Sequence, residues 1–383
     1  MRVMNGRRLC TKIGCLCMTV LLTFGIVLCG NGNVIAEKNV DTRVEMILSK
    51  MTLREKICQM LFVTPESIAE VSPVTKTDSK MKTAINMYPV GGIIYSKPNL
   101  ISKSQTKKMI KEIQAESSIN LFIAADEEGG TVNRLMKKLG TTYIGSMYDY
   151  RNMGIETAYR NAYTIAGDMA ALGFNLDFAP VADVWSNPDN TVIGKRAYSN
   201  DFSQAAILVS AAVYGFHDGG VLCTLKHFPG HGDTVEDSHK SIAYVNKSKE
   251  DIYAQELQPF ATGIAAGADF VMMGHLMVSS LDEDNPATLS ESIIQDTLRE
   301  DLGFQGIVIT DAMRMSALAD RYTVEEAAVK AVQAGNDMLL DPVDIDRTIN
   351  ALMDAVAQGT ITEERINESV RRILTVKMET GII

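Results

Sequence analysis

Histidine is scarce in this chain, with five in 383 residues, and three of the five fall within residues 226–239, "KHFPGHGDTVEDSH". Cysteine is scarcer still where it would count. Four of the six (Cys10, Cys15, Cys17 and Cys29) lie in the first 36 residues, leaving Cys58 and Cys223 in the apolar runs "KICQMLFV" and "GVLCTLKHF". That excludes a disulfide framework and predicts two buried free thiols. No Cys-x-x-Cys pair occurs, so spacing excludes a thiolate metal site. No basic run interleaved with aromatics is present and the net charge is −10, which argues against a nucleic-acid partner. Beyond residue 45 there is no Pro/Ser-rich linker and no low-complexity segment to divide the chain into domains.

The N-terminus reads differently from the rest. Arg2, Arg7, Arg8 and Lys12 form a basic start, no acid precedes Glu37, and residues 16–28, "LCMTVLLTFGIVL", make an apolar core. "NVIA" then supplies the small or aliphatic residues that a signal peptidase reads. Residues 1–36 are expected to be a signal peptide and 37–383 one catalytic domain. Removal of the four positive charges would take the net charge from −10 to −14. The alternative is a retained anchor, for which the run is short; a lipid anchor at Cys29 is disfavoured by the bulky Leu28. The expectation is an exported protein, secreted or cell-surface associated, with membrane contact only if the leader is kept.

With 46% hydrophobic and 22% charged residues, the body has an ordinary globular composition. Short apolar runs rich in β-branched residues alternate with helical patterns. Strands are expected at 57–63, 91–96, 121–128, 174–184, 220–228, 268–275, 306–312 and 336–342. Helices are expected at 104–116, 202–218 and 323–335, with a closing helix from about residue 361. Continuous apolar strands separated by helices mean parallel strands buried on both faces. Eight of them predict an α/β fold, a (β/α)8 barrel; the rival open sheet lacks a Gly-x-Gly-x-x-Gly after its first strand. The polar groups "ADEEGG", "PVADV", "KHFPGHG", "MGH", "TDA" and "LDP" all fall at carboxyl ends of strands, which in a barrel converge on one mouth.

Two chemistries compete for the histidine-rich stretch. His227 and His231 are four apart, but Pro229 and Gly230 between them forbid a helix, so the one-face argument for a zinc pair fails; a three-His site from loops stays open. Acid–base work fits better. In "DSH", Asp237 can accept an imidazole N–H and orient His239 as proton donor. Asp311 in "GIVITDAM" is a lone carboxylate after an apolar strand, and an acid plus a carboxylate nucleophile is the equipment for retaining glycoside cleavage. Singly, His239 also reads as a surface-loop residue and Asp311 as a helix cap. Such chemistry requires no cofactor.

With "ADEEGGTVNRL", "GFNLDFAPVADV", "VIGKRAYSND", "KHFPGHGDTVEDSH" and "GIVITDAM" in that order, the chain resembles family 3 glycoside hydrolases of the single-domain β-N-acetylglucosaminidase branch, over about residues 50–382. The resemblance implies Asp311 as nucleophile, His239 as general acid/base with Asp237 as its partner, and Asp126, Arg134, Arg196, Lys226 and His227 as sugar-binding residues. It implies no structural counterpart of catalysis at Asp183 and His231, for which a structural role is expected. The chain departs from the family pattern at Glu127, where Gln is common, and at Thr131, where Arg is common. Many members take their acid from a C-terminal domain; here the chain stops after the closing helix, so the acid is expected from the "DSH" loop. The resemblance implies release of N-acetylglucosamine from small oligosaccharides or muropeptides, such as N-acetylglucosamine–N-acetylmuramic acid fragments. A phosphorylase, a β-glucosidase and a non-catalytic sugar-binding protein are the alternatives. Oligomeric state is not legible. Strict alternation would send Lys226 and His227 to opposite faces. Irregular backbone is therefore expected over residues 226–229, with a cis bond before Pro229 as one candidate, and mobility between 230 and 239.

Overall fold

The computed structural model describes residues 40–236 and 242–383. Of the described residues, 40–50 fall in one unit and Met51–Ile383 in another. In the first, residues 40–48 are helical. The expected signal peptide lies outside the described residues, and among the described residues no helix is long and apolar enough to cross a membrane.

The second unit is built on eight parallel strands: β1 Leu61–Val63, β2 Gly92–Ile94, β3 Phe122–Ala125, β4 Leu176–Asp177, β5 Leu222–Phe228, β6 Phe270–Met273, β7 Ile307–Thr310 and β8 Leu339–Leu340. They pair in chain order from β1 to β7, and β8 lies against β1 through Leu61↔Leu339 and Phe62↔Leu340. The ring is completed between β7 and β8 by the bridge Ile309↔Met338, with the Thr310 N–H donating to the Met338 carbonyl at 3.1 Å. This is the expected (β/α)8 barrel, and every strand is buried over most or all of its length because helices cover its outer face. A separate two-residue ladder joins Ala243–Tyr244 to Leu276–Met277.

All eight strands are shorter than the ranges expected for them, and in two cases the sequence shows why. The first half of residues 57–63 belongs to helix Leu53–Gln59 instead. Thr52 and Glu55 form a capping box there, with the Thr52 N–H donating to the Glu55 carboxylate at 2.8 Å. That Thr-x-x-Glu signal is visible in "MTLREKICQ" and outweighs the β-like run behind it. In the second case, residues 174–184 pair only at Leu176–Asp177 and through the single bridge Val181↔Lys226. Pro180 has no N–H to offer the ladder and the chain leaves it. The helices over Lys103–Glu116, Phe202–Asp218, Val324–Ala334 and Glu363–Glu379 agree with expectation, each opened by a side-chain cap from Ser102, Asp201, Thr323 or Thr362. Cys58 and Cys223 are both free and buried, as expected.

Aromatic rings fill part of the core. Phe62 meets Phe178 at 5.2 Å between centroids, and Phe122 meets Phe270 edge-on at 5.1 Å. Phe62 fits only because its cross-strand neighbour is Gly92, where an added Cβ would stand 2.4 Å from the Phe62 ring. At the opposite end of the strands from the mouth, buried Asp337 binds Arg299 at 2.6 Å, Ser369 at 2.7 Å and Arg372 at 3.1 Å. These bonds tie the entry to β8 to the closing helix. Gly92→Ala is expected to destabilise the barrel by about 1–3 kcal/mol through overpacking. Chemical unfolding should show that loss, and Phe62→Leu in the same chain should recover part of it.

Candidate active site

The carboxyl ends of β1, β2, β3, β5, β7 and β8 surround a cavity of about 460 Å³ at the mouth of the barrel. This is the scale of a small-ligand pocket and is large enough for a sugar ring. Six of the residues expected from the sequence line it: Asp126, Arg134, Arg196, Lys226, His227 and Asp311. Asp237 and His239 lie outside the described residues, as does part of the segment expected to be mobile.

Opposite charges alternate along one wall. Arg134 Nη2 lies 2.9 Å from Asp126 Oδ2, Asp126 Oδ1 lies 3.0 Å from Lys226 Nζ, and Lys226 Nζ lies 2.6 Å from Glu128 Oε1. Glu128 in turn accepts two bonds of 2.8 Å from the Arg196 guanidinium. Glu128 and Lys226 side chains are each only 3% exposed, so neither charge could be held there without the other. Burial pushes the Glu128 carboxyl up, but Arg196 and Lys226 outweigh it and hold the group far below the usual carboxylate range. Burial likewise opposes the Lys226 charge, and Glu128 with Asp126 raises its proton affinity.

Glu128 was not singled out from the sequence. The second glutamate of "ADEEGG" was the available signal, and attention fell on its neighbour. Glu127 does not line the cavity; its carboxylate accepts backbone N–H groups from Arg134, Leu135 and Met136 and holds the loop that delivers Arg134. Thr131 is exposed. The departures from the family pattern therefore alter the support of the wall rather than the cavity surface.

Asp183 also does more than pack. Its carboxylate is fully buried, 2.7 Å from His227 Nδ1, and accepts the backbone N–H groups of His227 and His231, the latter at 2.7 Å. Burial raises its proton affinity, but His227 and His231 reverse the balance and keep it ionised. The His227 ring is thereby fixed through Nδ1, with its remaining edge toward the cavity. His231 is neutral, its pKa pushed down to about 4 by burial, and its Nδ1 meets Thr234 Oγ1 at 2.6 Å. These bonds give both described imidazoles of the stretch a polar partner at Nδ1 and do not assemble a three-His centre. Among the described residues, the one grouping that could hold a metal ion is His217, Cys223 and Asp269, at the other end of the strands. Motif spacing was blind to it, because its members come from three separate segments; there, Asp269 Oδ2 already accepts from His217 and from the Cys223 N–H.

The backbone over residues 226–229 is irregular, as expected. The Lys226–His227 and Phe228–Pro229 peptides are both cis, and the register against β6 passes from Lys226↔Met272 to Phe228↔Met273, skipping His227. With strict alternation broken by this bulge, Lys226 and His227 both line the cavity.

Asp311 follows β7 and is half-buried, with Oδ1 accepting the Ala312 N–H at 2.7 Å. Burial disfavours its charge, but His227, His275, the Ala312 N–H and Lys226 together hold its pKa below the usual value. It is an ionised carboxylate facing a cavity lined by both donors and acceptors. At the rim, Arg314 Nη2 meets Asp341 at 2.8 Å, a second pair that was not foreseen.

Residues 52–376 match the model of the glycosyl hydrolase family 3 N-terminal domain. The chain is 32% identical over 333 residues to beta-hexosaminidase A of Pseudoalteromonas piscicida, covering 79% of this chain and 56% of that protein. It superposes with a TM-score of 0.82 and 38% identity on the structure of a family 3 beta-N-acetylglucosaminidase from Paenibacillus sp., over 87% of this chain and 63% of that one. The structure of the beta-glucoside phosphorylase BglX is matched at a TM-score of 0.80 and 25% identity, over 90% and 61% of the two chains. This chain thus spans between about half and two thirds of the length of these three relatives.

Glu128→Gln is expected to destabilise the protein by about 3–5 kcal/mol, the usual cost of breaking a buried ion pair. The folded pKa of Glu128 is depressed, so its contribution is full above the unfolded value of about 4.3 and is lost as pH falls from there toward the folded value. Thermal melts of the two proteins should therefore converge below about pH 4.

Proposed function

The chain belongs to glycosyl hydrolase family 3, and on that footing we propose that it is a retaining, exo-acting β-N-acetylhexosaminidase. The observation that carries this reading is the ionised Asp311 carboxylate at a cavity large enough for a sugar ring, whose wall is a chain of paired charges. Such a wall offers polyol hydroxyls both donors and acceptors that are already fixed in place. The similarity to the hexosaminidase of Pseudoalteromonas and the acetylglucosaminidase of Paenibacillus supports the choice of sugar.

In the proposed mechanism Asp126, Arg134, Arg196, Lys226 and His227 hold the non-reducing sugar. Asp311 attacks the anomeric carbon while His239, oriented by Asp237, protonates the departing oxygen, which yields a glycosyl-enzyme ester. His239 then takes a proton from water, the hydroxide attacks the same carbon, and Asp311 leaves as a carboxylate with the configuration retained. The substrate is proposed to be a small β-linked oligosaccharide, in particular N-acetylglucosamine–N-acetylmuramic acid fragments of peptidoglycan. The basic start and apolar run of residues 1–36 support export to where such fragments occur.

A phosphorylase is the second reading, favoured by the similarity to the beta-glucoside phosphorylase BglX. A neutral imidazole as acid adds no negative charge to repel an incoming phosphate. Phosphate that accelerates turnover and appears as a sugar 1-phosphate product would establish it.

Asp311→Ala should lower turnover of an aryl N-acetylglucosaminide by ~10³-fold or more while far-UV dichroism stays unchanged, since the residue serves chemistry and not packing. Comparable turnover of an aryl glucoside by the native enzyme would defeat the proposed sugar preference. His239→Ala should lose about 10²–10⁴-fold in kcat/KM on natural disaccharides and far less on nitrophenyl glycosides, whose leaving group needs little protonation. Asp237→Asn should show the same pattern more mildly. Equal losses on both substrates would show that this loop does not donate the proton.

A further inference from the structure

His275 is fully buried directly after β6, and the mechanism above gives it no part. Its two ring nitrogens have separate partners, and one of these lies on the turn that carries Asp311. Nε2 lies 3.0 Å from the Ala312 carbonyl, which can only accept, so Nε2 carries the hydrogen and donates it. Nδ1 lies 2.8 Å from Thr288 Oγ1, and that hydroxyl sits 2.8 Å from the Gly274 carbonyl. The Thr288 carbonyl is itself held by buried Asn336 Nδ2 at 2.8 Å. A chain of hydrogen bonds thus runs from the end of β6, through the side chains of Thr288 and His275, to the carbonyl of Ala312, the residue after Asp311.

The same residue, through its N–H on the neighbouring peptide, controls the carboxylate. The Ala312 N–H donates to Asp311 Oδ1 at 2.7 Å, while the Asp311 N–H is fixed to the Met273 carbonyl at 3.0 Å. One oxygen of Asp311 is therefore held by the residue whose carbonyl His275 grips. Nothing else in that hydrogen-bonded set fixes the carboxylate's rotation about its terminal bond, a torsion with a broad and shallow preference.

We propose that His275 is a positioning residue for Asp311, pinning the Ala312 carbonyl so that the Ala312 N–H stays on Oδ1 and Oδ2 faces the bound sugar. This rests on Asp311 being the nucleophile. A histidine that merely filled the core would be replaceable by any side chain of similar size. One that orients a nucleophile must present a donor at the Nε2 position, because a carboxylate displaced by an ångström loses its line of attack.

The test uses the full chain and an activated fluoro-sugar of the N-acetylglucosamine type, which loses fluoride as the attacking carboxylate forms a stable glycosyl ester. Mass spectrometry locates the label and times its appearance. His275→Ala should slow labelling of Asp311 roughly 10²-fold while the inhibition constant of free N-acetylglucosamine is unchanged. His275→Gln should regain most of the rate, because its amide N–H reaches the same carbonyl. Labelling at the wild-type rate in His275→Ala, a Gln variant as slow as Ala, or a parallel loss of sugar affinity would each overturn the proposal. Where His275→Ala does not fold, Thr288→Val removes only the far end of the chain and should slow labelling in the same direction; an unchanged rate there would overturn it too. A wild-type label on a residue other than Asp311 defeats the nucleophile assignment itself, a failure distinct from that of an unresponsive His275.

Discussion

The chain of charges Arg134–Asp126–Lys226–Glu128–Arg196 is the constraint on which the rest of the mouth depends. Lys226 rises from inside β5 into a region with almost no solvent, where an isolated ammonium would lose its proton. Two carboxylates from the end of β3 keep it charged, the Arg196 guanidinium helps to keep Glu128 charged in turn, and Arg134 pairs with Asp126. No member can be neutralised alone without leaving a buried charge uncompensated. The result is a wall whose polar atoms are fixed before any ligand arrives, which is the condition for orienting a sugar without a large ordering cost.

Behind that wall a second tier sets directions. Asp183 fixes His227 through Nδ1 and also gathers the backbone N–H groups of His227 and His231. Glu127 gathers three N–H groups of the loop that carries Arg134. In both cases a buried acid satisfies backbone donors that an irregular turn leaves unpaired, and the turn delivers a polar side chain to the cavity. The pairing of a supporting acid with a presented side chain thus occurs twice at the mouth.

The barrel explains why this is possible in so little space. Eight strands that end together bring residues from Thr64 to Asp341 around one cavity, while the helices bury the outer faces and the aromatic rings around Phe62 and Phe122 stabilise the floor. Opposite the mouth, Asp337 with its three cationic neighbours secures the closing helix. Buried ion pairs thus tie the barrel together at both ends of the strands, and those at the mouth also present charge to the cavity.

What the sequence determined by itself was whatever is written in local order. The alternation of apolar runs and helical stretches, the polar residues at the ends of those runs, and the conflict between strand alternation and two functional neighbours at Lys226 and His227 are all properties of a few adjacent residues. They yielded the barrel, its mouth and Asp311, whereas the sugar-binding residues of the cavity, and with them the irregular backbone of β5, came from the resemblance to family 3 glycoside hydrolases. The capping box at Thr52 was equally local but lay outside the apolar run, which placed a strand where a helix ends. Only the tertiary structure decided which acid pairs with which base. Glu128 meets Arg196 across 68 positions and Lys226 meets Asp126 across 100. Asp183 reaches His227 across 44, and His275 reaches Ala312 across 37. A charged residue in the sequence is identical whether it faces water or a partner; its role is set by desolvation and by the neighbour that compensates it, and both exist only once the strands have closed.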